Sequence, residues 1–335
     1  PDATLQGNGG VRPLVHVATA MGTLINGVFG DPLLHLRLRH QRRSLLFDLG
    51  EGSRLPARIA HQVSDVFISH AHMDHICGFL WLLRSRIGEP GVCRLYGPPG
   101  LAAHITGLIN GIHWDRIGKR GPRFEVAELH DKRLKRYALQ AGLPGCEACG
   151  EEAVPEAVLL AEADFRVRAT TLDHGTPVLA FAYEPAKQIN VRKERLLEWQ
   201  LQPGPWLNEL KERLHADDTT ADILLPDGRT ETVAALAEDL VLISQGSKLV
   251  YATDFADTPE NRIKLRQLAH AAHTFFCEAT FLQKETEQAR RTGHLTTLAC
   301  GEIANEAQVK HLIPFHFSRR YEEQPWRVYQ EIAAV

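Results

Sequence analysis

Short apolar runs alternate with longer amphipathic segments along much of the chain. The apolar runs predict strands, which we place over residues 33–38, 44–48, 65–69, 165–172, 178–183, 248–253, 274–277 and 311–315. Helical spacing of apolar residues predicts helices over 76–86, 101–111, 261–271 and 296–308, the last with Thr296 as a candidate N-cap. Such alternation predicts an α/β domain in which helices and sheets form layers.

Two segments interrupt this alternation. Residues 120–164 are charged and irregular, and they include a C-x-x-C pair, Cys146 and Cys149. Such a pair is half of a structural zinc site, but no second pair follows at a usable spacing, so we expect a solvated loop rather than a separate metal site. Residues 186–232 contain Pro203-Gly204-Pro205, an amphipathic stretch and the turn signal Pro226-Asp227-Gly228, which together predict an inserted arm.

Composition sets few limits on function. The chain has 335 residues, 44% of them hydrophobic and 24% charged, which is ordinary for one large globular domain or two modest ones. The net charge of −3 gives no global electrostatic argument for nucleic acid binding, and the Lys and Arg clusters near residues 37–43, 132–136 and 192–195 are each typical of a solvated face.

Localisation and redox state follow from similar arguments. No apolar run reaches the roughly 18 residues needed to cross a membrane, and residues 1–10 lack the basic and apolar regions of a signal peptide. We therefore expect a cytoplasmic protein without a membrane partner. Six cysteines scattered through a chain of this size indicate reduced thiols rather than a disulfide framework.

The segment Phe67-Ile68-Ser69-His70-Ala71-His72-Met73-Asp74-His75 carries the strongest chemical signal. Residues two apart point to the same side of an extended chain, so His70 and His72 can bind one ion together. After the chain turns, Asp74 and His75 are placed to bind a second ion beside the first. Mixed imidazole and carboxylate ligands favour zinc.

Further ligands are expected where other strands end, because those loops converge on one edge of a layered sheet. Three residues meet this condition: His174, Asp254 and His316 each follow an apolar run. Each alone is more typical of a cap or a surface residue. Four strands that end in ligand residues are a stronger indication of one site.

The chain resembles the metallo-β-lactamase superfamily, and within it the ribonuclease Z family, the endonucleases that remove 3′ trailers from precursor tRNA. Besides the histidine-rich segment, the likeness covers most of the chain and is carried by the segments at 46–52, 278–281, 293–294 and 316–321, and by the strand before Asp254. Pro203-Gly204-Pro205 with Leu207, and residues 225–229, are similar to the arm that grips tRNA in that family.

The resemblance implies a four-layer αβ/βα sandwich with two zinc ions per chain; manganese and iron accept the same ligands. It implies that His70, His72 and His174 bind one ion, that Asp74, His75 and His316 bind the other, and that Asp254 bridges them, with Asp48 orienting ligands from behind. Two such cations about 3.5–4 Å apart lower the pKa of a shared water toward 7, which makes hydroxide available as nucleophile.

Other roles also follow from the resemblance. Asp74 would orient that nucleophile and accept its proton, while His294, with Glu278 behind it, would protonate the departing 3′ oxygen. A buried structural ion pair is the other interpretation of Glu278. Pro203, Gly204, Pro205 and Arg319 would contact precursor tRNA. The family also implies a homodimer in which the arm of one subunit serves the other's active site.

Three functions remain open on the sequence. The ribonuclease Z hypothesis rests on the segment 316–321 and on the arm, which we expect to be a long basic projection. A hydrolase of a small ester or phosphodiester that keeps the same frame is favoured by the segment from Val15 to Asp31, which is apolar where the family usually carries a basic loop. A metal-stabilised binding module without activity ranks last, because Asp74, Glu278 and His294 are all present.

Overall fold

The computed structural model describes residues 12–17, 19–39, 41–88, 91–244 and 246–335. Residues 1–10, on which the expectation about a signal peptide rests, lie outside the described residues, as does Ala18 in the N-terminal segment. The chain divides into two compact units. The sandwich unit comprises Pro1–Ala161, Arg166–Glu184 and Ser247–Val335, and the arm unit comprises Glu162–Phe165 and Pro185–Gly246.

Strands and helices alternate as the apolar pattern predicts. The strands are β1 Leu14–Val17, β2 Ala20–Leu24, β3 Leu34–Leu38, β4 Ser44–Phe47, β5 Val63–Phe67, β6 Val92–Gly97, β7 Arg123–His130, β8 Arg133–Gln140, β9 Glu147–Ala153, β10 Val158–Ala161, β11 Phe165–Asp173, β12 Pro177–Pro185, β13 Gln188–Val191, β14 Asp222–Leu224, β15 Thr230–Thr232, β16 Val241–Ser244, β17 Leu249–Ala252, β18 Thr274–Glu278 and β19 His311–Phe315. The helices are α1 Ala57–Ala60, α2 Met73–Ile76, α3 Phe79–Ser85, α4 Leu101–Asn110, α5 Lys193–Glu198, α6 Pro205–His215, α7 Val233–Leu240, α8 Pro259–Ala269, α9 Thr286–Thr292, α10 Thr297–Glu306 and α11 Trp326–Ala333.

The predicted strands and helices are confirmed, with one refinement. The helix expected over 76–86 is two helices, α2 and α3, separated at Gly78, where a side chain would collide with the Gly50 carbonyl oxygen. The N-cap at Thr296 is confirmed, because its hydroxyl accepts a hydrogen bond from the Ala299 N–H at 3.2 Å.

Two large sheets form the sandwich unit. The first contains β1 to β9 in chain order, with β4 to β7 parallel and the flanking strands antiparallel. The second has the order β10, β11, β12, β17, β18, β19, and its last three strands are parallel. Parallel strands direct their carboxyl ends to one edge, where ligand-binding loops collect.

Aromatic side chains join the two sheets. The rings of Phe47 and Phe67 stack at 5.1 Å in the first sheet, and Phe47 lies 5.8 Å from Phe181 and 5.9 Å from Tyr251 in the second. Helices cover the outer faces, with α3 and α4 in the same apolar cluster as the first sheet and α8 and α10 against β17 and β18. This arrangement confirms the four-layer sandwich.

The expectation of a solvated loop over 120–164 is wrong. The segment forms β7, β8, β9 and β10. In β9 every residue is exposed, so no apolar alternation marks it, and it is held by backbone pairing to β8. Arg136 of β8 also pairs with Glu125 at 2.6 Å and with Glu152 at 2.5 Å. Charged side chains occur on both faces of these strands, so the alternation of apolar and polar residues that predicts a strand is weak. Cys146 and Cys149 are exposed, and all six cysteines are free.

The arm unit has an apolar core of its own. Helices α5, α6 and α7 pack with the strand pairs β13–β16 and β14–β15 around buried residues that include Leu196, Trp206, Leu210, Ile223 and Leu236. The unit extends to Gly246, past the end of the arm drawn from the sequence. No helix in the described part of the chain combines the length and apolar character that crossing a bilayer requires.

Candidate functional site

Polar side chains gather at the carboxyl ends of strands in the sandwich unit. These residues are Asp48 after β4, His70 after β5, His174 after β11, Asp254 after β17, Glu278 at the end of β18 and His316 after β19. The backbone at Asp48, Asp254 and His316 has φ of +58°, +50° and +58°. Residues other than glycine seldom adopt this left-handed conformation, and where they do it is often at functional sites.

One group of ligand atoms contains His70, His72, His174 and Asp254, all within 4.8 Å of one another. The Nε2 atom of His70 lies 2.8 Å from Nδ1 of His72 and 3.7 Å from Oδ2 of Asp254. Burial, and then the neighbouring His75, lower the pKa of His70 to about 2. The ring is therefore neutral at physiological pH and has a nitrogen lone pair for a cation.

A second group contains Asp74, His75, Asp254 and His316. The Nε2 atom of His75 lies 3.2 Å from Asp254 Oδ2 and 3.3 Å from Asp74 Oδ2, while His316 Nδ1 lies 3.2 Å from Asp254 Oδ1. Asp254 belongs to both groups: its Oδ2 faces His70 and His174 of the first group and His75 of the second, and its Oδ1 faces His316. The two groups are thus adjacent and share one carboxylate.

The chemistry of these groups fits metal ions. The Nε2 atom of His75 is fully buried and has no hydrogen-bond partner among the described residues, although two carboxylate oxygens lie within 3.3 Å. Burial opposes a charge on His75, but Asp254 and then Asp48 outweigh it and raise its pKa well above the usual value. A cation among these atoms would take the place of that proton, since buried charges are paired or coordinate metals.

Asp48 fixes the histidine-rich segment through hydrogen bonds with Ser69 and His75. Its carboxylate accepts hydrogen bonds from the Ser69 N–H at 2.7 Å, from the Ser69 hydroxyl at 2.9 Å and from the Tyr251 hydroxyl at 2.8 Å. Its Oδ2 also lies 2.9 Å from Nδ1 of His75. This contact places the Nδ1 proton toward Asp48 and leaves Nε2 facing the cluster.

His174 is oriented in the same way. Its Nδ1–H donates to the Gly293 carbonyl oxygen at 2.8 Å, so its Nε2 is left for the cluster, 3.8 Å from Asp254 Oδ2. Gly293 has φ of +72°, and a side chain there would meet the His174 ring at 2.9 Å. Glycine at this position therefore allows both the turn and the contact.

Glu278 and His294 form a pair next to the second group. Glu278 is fully buried and accepts hydrogen bonds from the Phe255 N–H at 2.8 Å and the Thr280 hydroxyl at 2.7 Å, and its Oε2 lies 3.1 Å from Nδ1 of His294. Burial opposes a charge on His294, but the Glu278 carboxylate outweighs it and raises the pKa of the imidazole to about 9. The Glu278 carboxylate thus favours the protonated form of His294.

Several supporting residues escaped the analysis of the sequence. Tyr251 lies inside an ordinary strand, Thr280 follows β18, and the Gly293 carbonyl is a backbone group. None of them therefore gives a chemical signal of its own, although Thr280 and Gly293 lie in segments that carry the family resemblance. Ser69 did have a sequence signal, because it lies within the histidine-rich segment.

The residues predicted to contact the RNA lie in both units. Arg319 is exposed and has no ion-pair partner within the described ranges. In the arm unit, α6 begins at Pro205, Gly204 is its N-cap and Pro203 precedes the cap.

The arm is not the basic projection that the sequence analysis expects. Residues 185–246 contain seven Lys and Arg against eleven Asp and Glu, a net charge of −4. Four of the cations are paired within the unit, for example Lys187 with Asp217 and Arg213 with Asp218. Arg192, Lys193 and Lys211 have no ion-pair partner in the part of the chain that is described.

Comparisons with known proteins give consistent relatives. The chain is 30% identical over 299 residues to ribonuclease Z of Brevibacillus brevis, covering 86% of this chain and 80% of the relative. It is 29% identical over 288 residues to ribonuclease Z of Deinococcus radiodurans, covering 84% and 85%. No protein-family model matches the chain.

Solved structures match the fold. The metallo-β-lactamase fold protein YhfI of Bacillus subtilis superposes with a TM-score of 0.54 at 14% identity, covering 95% of this chain and 93% of that one. Unliganded yeast PDE1 superposes with a TM-score of 0.50 at 11% identity, covering 91% and 89%. The sandwich therefore has the metallo-β-lactamase fold.

Proposed function

Because the chain belongs to the ribonuclease Z family, and is thus a metal-dependent hydrolase, we propose that it removes the 3′ trailer from precursor tRNA by cutting one phosphodiester bond. The observation that carries the proposal is the convergence of seven ligand residues from four strand ends on two adjacent groups that share Asp254. Such a pair of groups suits hydrolysis of a phosphodiester, because the bond needs both an activated water and a partner for phosphate charge.

We propose two zinc ions as the cofactors. His70, His72, His174 and Asp254 would hold one, and Asp74, His75, Asp254 and His316 the other. Bound divalent cations supply Lewis acidity that favours ionisation of water near neutral pH and neutralises charge on phosphate oxygens. Asp48 and the Gly293 carbonyl fix the ring nitrogens that face the cluster, so the histidines need little reorganisation on binding.

Asp74 is the proposed general base. Its side chain is 42% exposed, whereas those of Asp254 and His75 are almost fully buried, so it is the acidic group of the cluster that an entering substrate reaches first. Burial raises its pKa, but hydrogen bonds with His316 and His75 outweigh this and hold it below the usual range. Asp74 is therefore ionised, and it can accept a hydrogen bond from a water and take its proton.

His294 is the proposed general acid. Cleavage of the P–O3′ bond leaves negative charge on the 3′ oxygen of the tRNA, and that oxygen needs a proton. The protonated imidazole, held through Nδ1 by Glu278, can deliver one from Nε2. The three further hydrogen bonds that Glu278 accepts from the backbone and from Thr280 keep this carboxylate in place.

Substrate contacts in the arm unit must be few, because most of its cations are already paired. We propose that Arg192, Lys193 and the start of α6 at Gly204-Pro205 contact the RNA, and that Arg319 contacts it from the sandwich unit. We also propose that the protein acts as a cytoplasmic homodimer, as expected from the sequence.

The second candidate function, hydrolysis of a small ester or phosphodiester, is favoured by the acidic arm and by the apolar N-terminal segment.

One experiment separates the two functions. The zinc-loaded protein is incubated with an end-labelled precursor tRNA and, in parallel, with bis(p-nitrophenyl) phosphate, using Asp74→Ala as the inactive control. We expect cleavage at the 3′ end of the acceptor stem that is lost in the variant. Hydrolysis of the small diester alone, with the tRNA intact, would favour the second function.

A further inference from the structure

A cavity of about 230 Å³ adjoins the catalytic pair in the sandwich unit. Three helices enclose it: α9 on one side, and the N-terminal ends of α8 and α10, where Thr258 and Thr296 act as caps. His294 forms part of its wall. None of the proposed zinc ligands lines it, so the cavity is a separate feature beside the site.

The connection to the chemistry runs through His294. This side chain engages Glu278 through Nδ1, and in the described part of the chain its Nε2 has no hydrogen bond. If His294 protonates the departing 3′ oxygen, the ribose that carries this oxygen must lie within hydrogen-bond reach of Nε2. The base attached to that ribose then lies only a few bonds from His294, which is part of the cavity wall.

The lining of the cavity is mixed in character. Ala256, Ala289 and Leu298 supply apolar surface, while the hydroxyl of Thr286 and the side chain of Gln283 supply hydrogen-bonding groups. Gln283 is exposed, and its side-chain amide makes no hydrogen bond with the described residues. A planar ligand with apolar faces and polar edges matches such a lining, and nucleobases have this construction.

The two arginines that line the cavity differ in their ion pairing. Arg262 is occupied, because it pairs with Asp257 at 2.5 Å and with Glu302 at 2.9 Å. Arg290 is exposed and has no ion-pair partner in the ranges that are described. A free guanidinium at the edge of a cavity can stack on a base or hydrogen-bond to it. The volume is below the roughly 300–1,000 Å³ of pockets that enclose drug-sized ligands, which suits a single base rather than a whole nucleotide.

We propose that this cavity, through Gln283 and Arg290, binds the base of the nucleotide whose 3′ oxygen leaves, which is the last nucleotide of the mature tRNA. The proposal rests on the proposed function for the position of the RNA. It makes Gln283 and Arg290 specificity-determining residues, which place the ribose oxygen next to His294 and take no part in proton transfer.

The test uses a product mimic, so that it does not depend on tRNA cleavage. Adenosine 5′-monophosphate has a base and a free 3′-hydroxyl, whereas ribose 5-phosphate lacks only the base. Binding of each to the zinc-loaded full-length protein is measured by calorimetry. We expect the nucleotide to bind at least about tenfold more tightly than the sugar phosphate, since one stacked base contributes about 1–3 kcal/mol.

Two variants test whether the preference for the nucleotide depends on Gln283 and Arg290. Gln283→Ala combined with Arg290→Ala should remove most of the difference between the two ligands and leave the affinity for ribose 5-phosphate unchanged. Arg291→Ala is the matched control, because Arg291 is the next exposed cation on α9, bonds to Gln288 and does not line the cavity. It should bind both ligands as the unmodified protein does.

The results distinguish failure of the proposed base site from failure of the proposed tRNA substrate. Equal binding of both ligands by the unmodified protein, or a preference for the nucleotide that survives in the double variant, would overturn the proposed base site even if precursor tRNA is cleaved. A preference that disappears in the double variant, in a protein that leaves tRNA intact, would support the base site and count against the tRNA substrate.

Discussion

The sandwich unit and the arm unit place their charged residues in different ways. In the sandwich unit Asp48, Asp254, His75 and Glu278 are buried, and each is held by hydrogen bonds or by opposite charge. In the arm unit the buried residues of the core are apolar, and the charges form exposed local pairs such as Lys187 with Asp217. Buried charge is costly unless it is compensated, so its concentration in the sandwich unit makes that unit the candidate location of the chemistry.

Under the proposed function, this difference would separate catalysis from substrate selection. A substitution in the buried cluster should then affect every substrate, because all of them would need the same activated water. A change in the arm should affect only a substrate large enough to reach it. Four predictions test this distinction.

The largest effect is expected for Asp254→Asn, because this carboxylate belongs to both ligand groups. Loss of its charge removes compensation for the cations on both sides, so we expect zinc content below two per chain and turnover of both substrates reduced by about 10⁴-fold, as for loss of a central catalytic group. Metal analysis and initial rates measure this. Asp222→Asn in the arm is the matched control, and normal zinc content in Asp254→Asn would contradict the assignment of Asp254 as a shared ligand.

Excision of residues 187–244, with the ends joined by a short glycine linker, tests the arm. Pro185 and Gly246 lie together, since a side chain at Gly246 would collide with the Pro185 carbonyl oxygen, so a short linker can close the gap. We expect kcat/KM for precursor tRNA to fall by about 10²-fold, through loss of a second binding contact, and hydrolysis of bis(p-nitrophenyl) phosphate to be retained. Equal loss of both activities would mean that the arm supports the sandwich unit rather than the RNA.

Asp48→Asn should have a moderate effect on both substrates. The variant keeps the size of the side chain but weakens the hold on His75 Nδ1, and loss of such an outer partner typically costs 10–100-fold in metal affinity or activity. Zinc titration in competition with a chelator measures the affinity. The matched conservative change is Asp65→Asn, a buried carboxylate paired with Arg43 and Arg94 away from the cluster, which should leave zinc affinity unchanged. A zinc affinity in Asp48→Asn equal to that of the unmodified protein would remove Asp48 from the site.

The smallest effect is expected for Arg192→Gln combined with Lys193→Gln. Each cation that contacts a phosphate contributes about one unit to the slope of log affinity against log salt, so the slope for precursor tRNA should fall by up to about two. Lys187→Gln is the control, because Lys187 is already paired with Asp217. Binding measured at several salt concentrations tests this, and an unchanged slope would place the phosphate contacts elsewhere.

The sequence alone predicted the candidate ligands of the sandwich unit and many of its strands and helices, but not β1, β2 or β6 to β10. Strands with buried apolar residues have a clear pattern, and His174, Asp254 and His316 were found because each directly follows such a strand. The strand β9 was missed, because all its residues are exposed and its pairing depends on backbone hydrogen bonds that leave no hydrophobic pattern. The charge of the arm was also misjudged, although its residues can be counted directly.

Only the tertiary structure decided how these residues meet. The shared position of Asp254, the contact of Tyr251 with Asp48 across 203 residues and the orientation of His174 by Gly293 all join segments that are distant in the chain. The cavity beside His294 likewise depends on three helices packing together. Local sequence encodes strand ends through side-chain burial, whereas contacts between strand ends depend on the order and register of the strands, which no local pattern specifies.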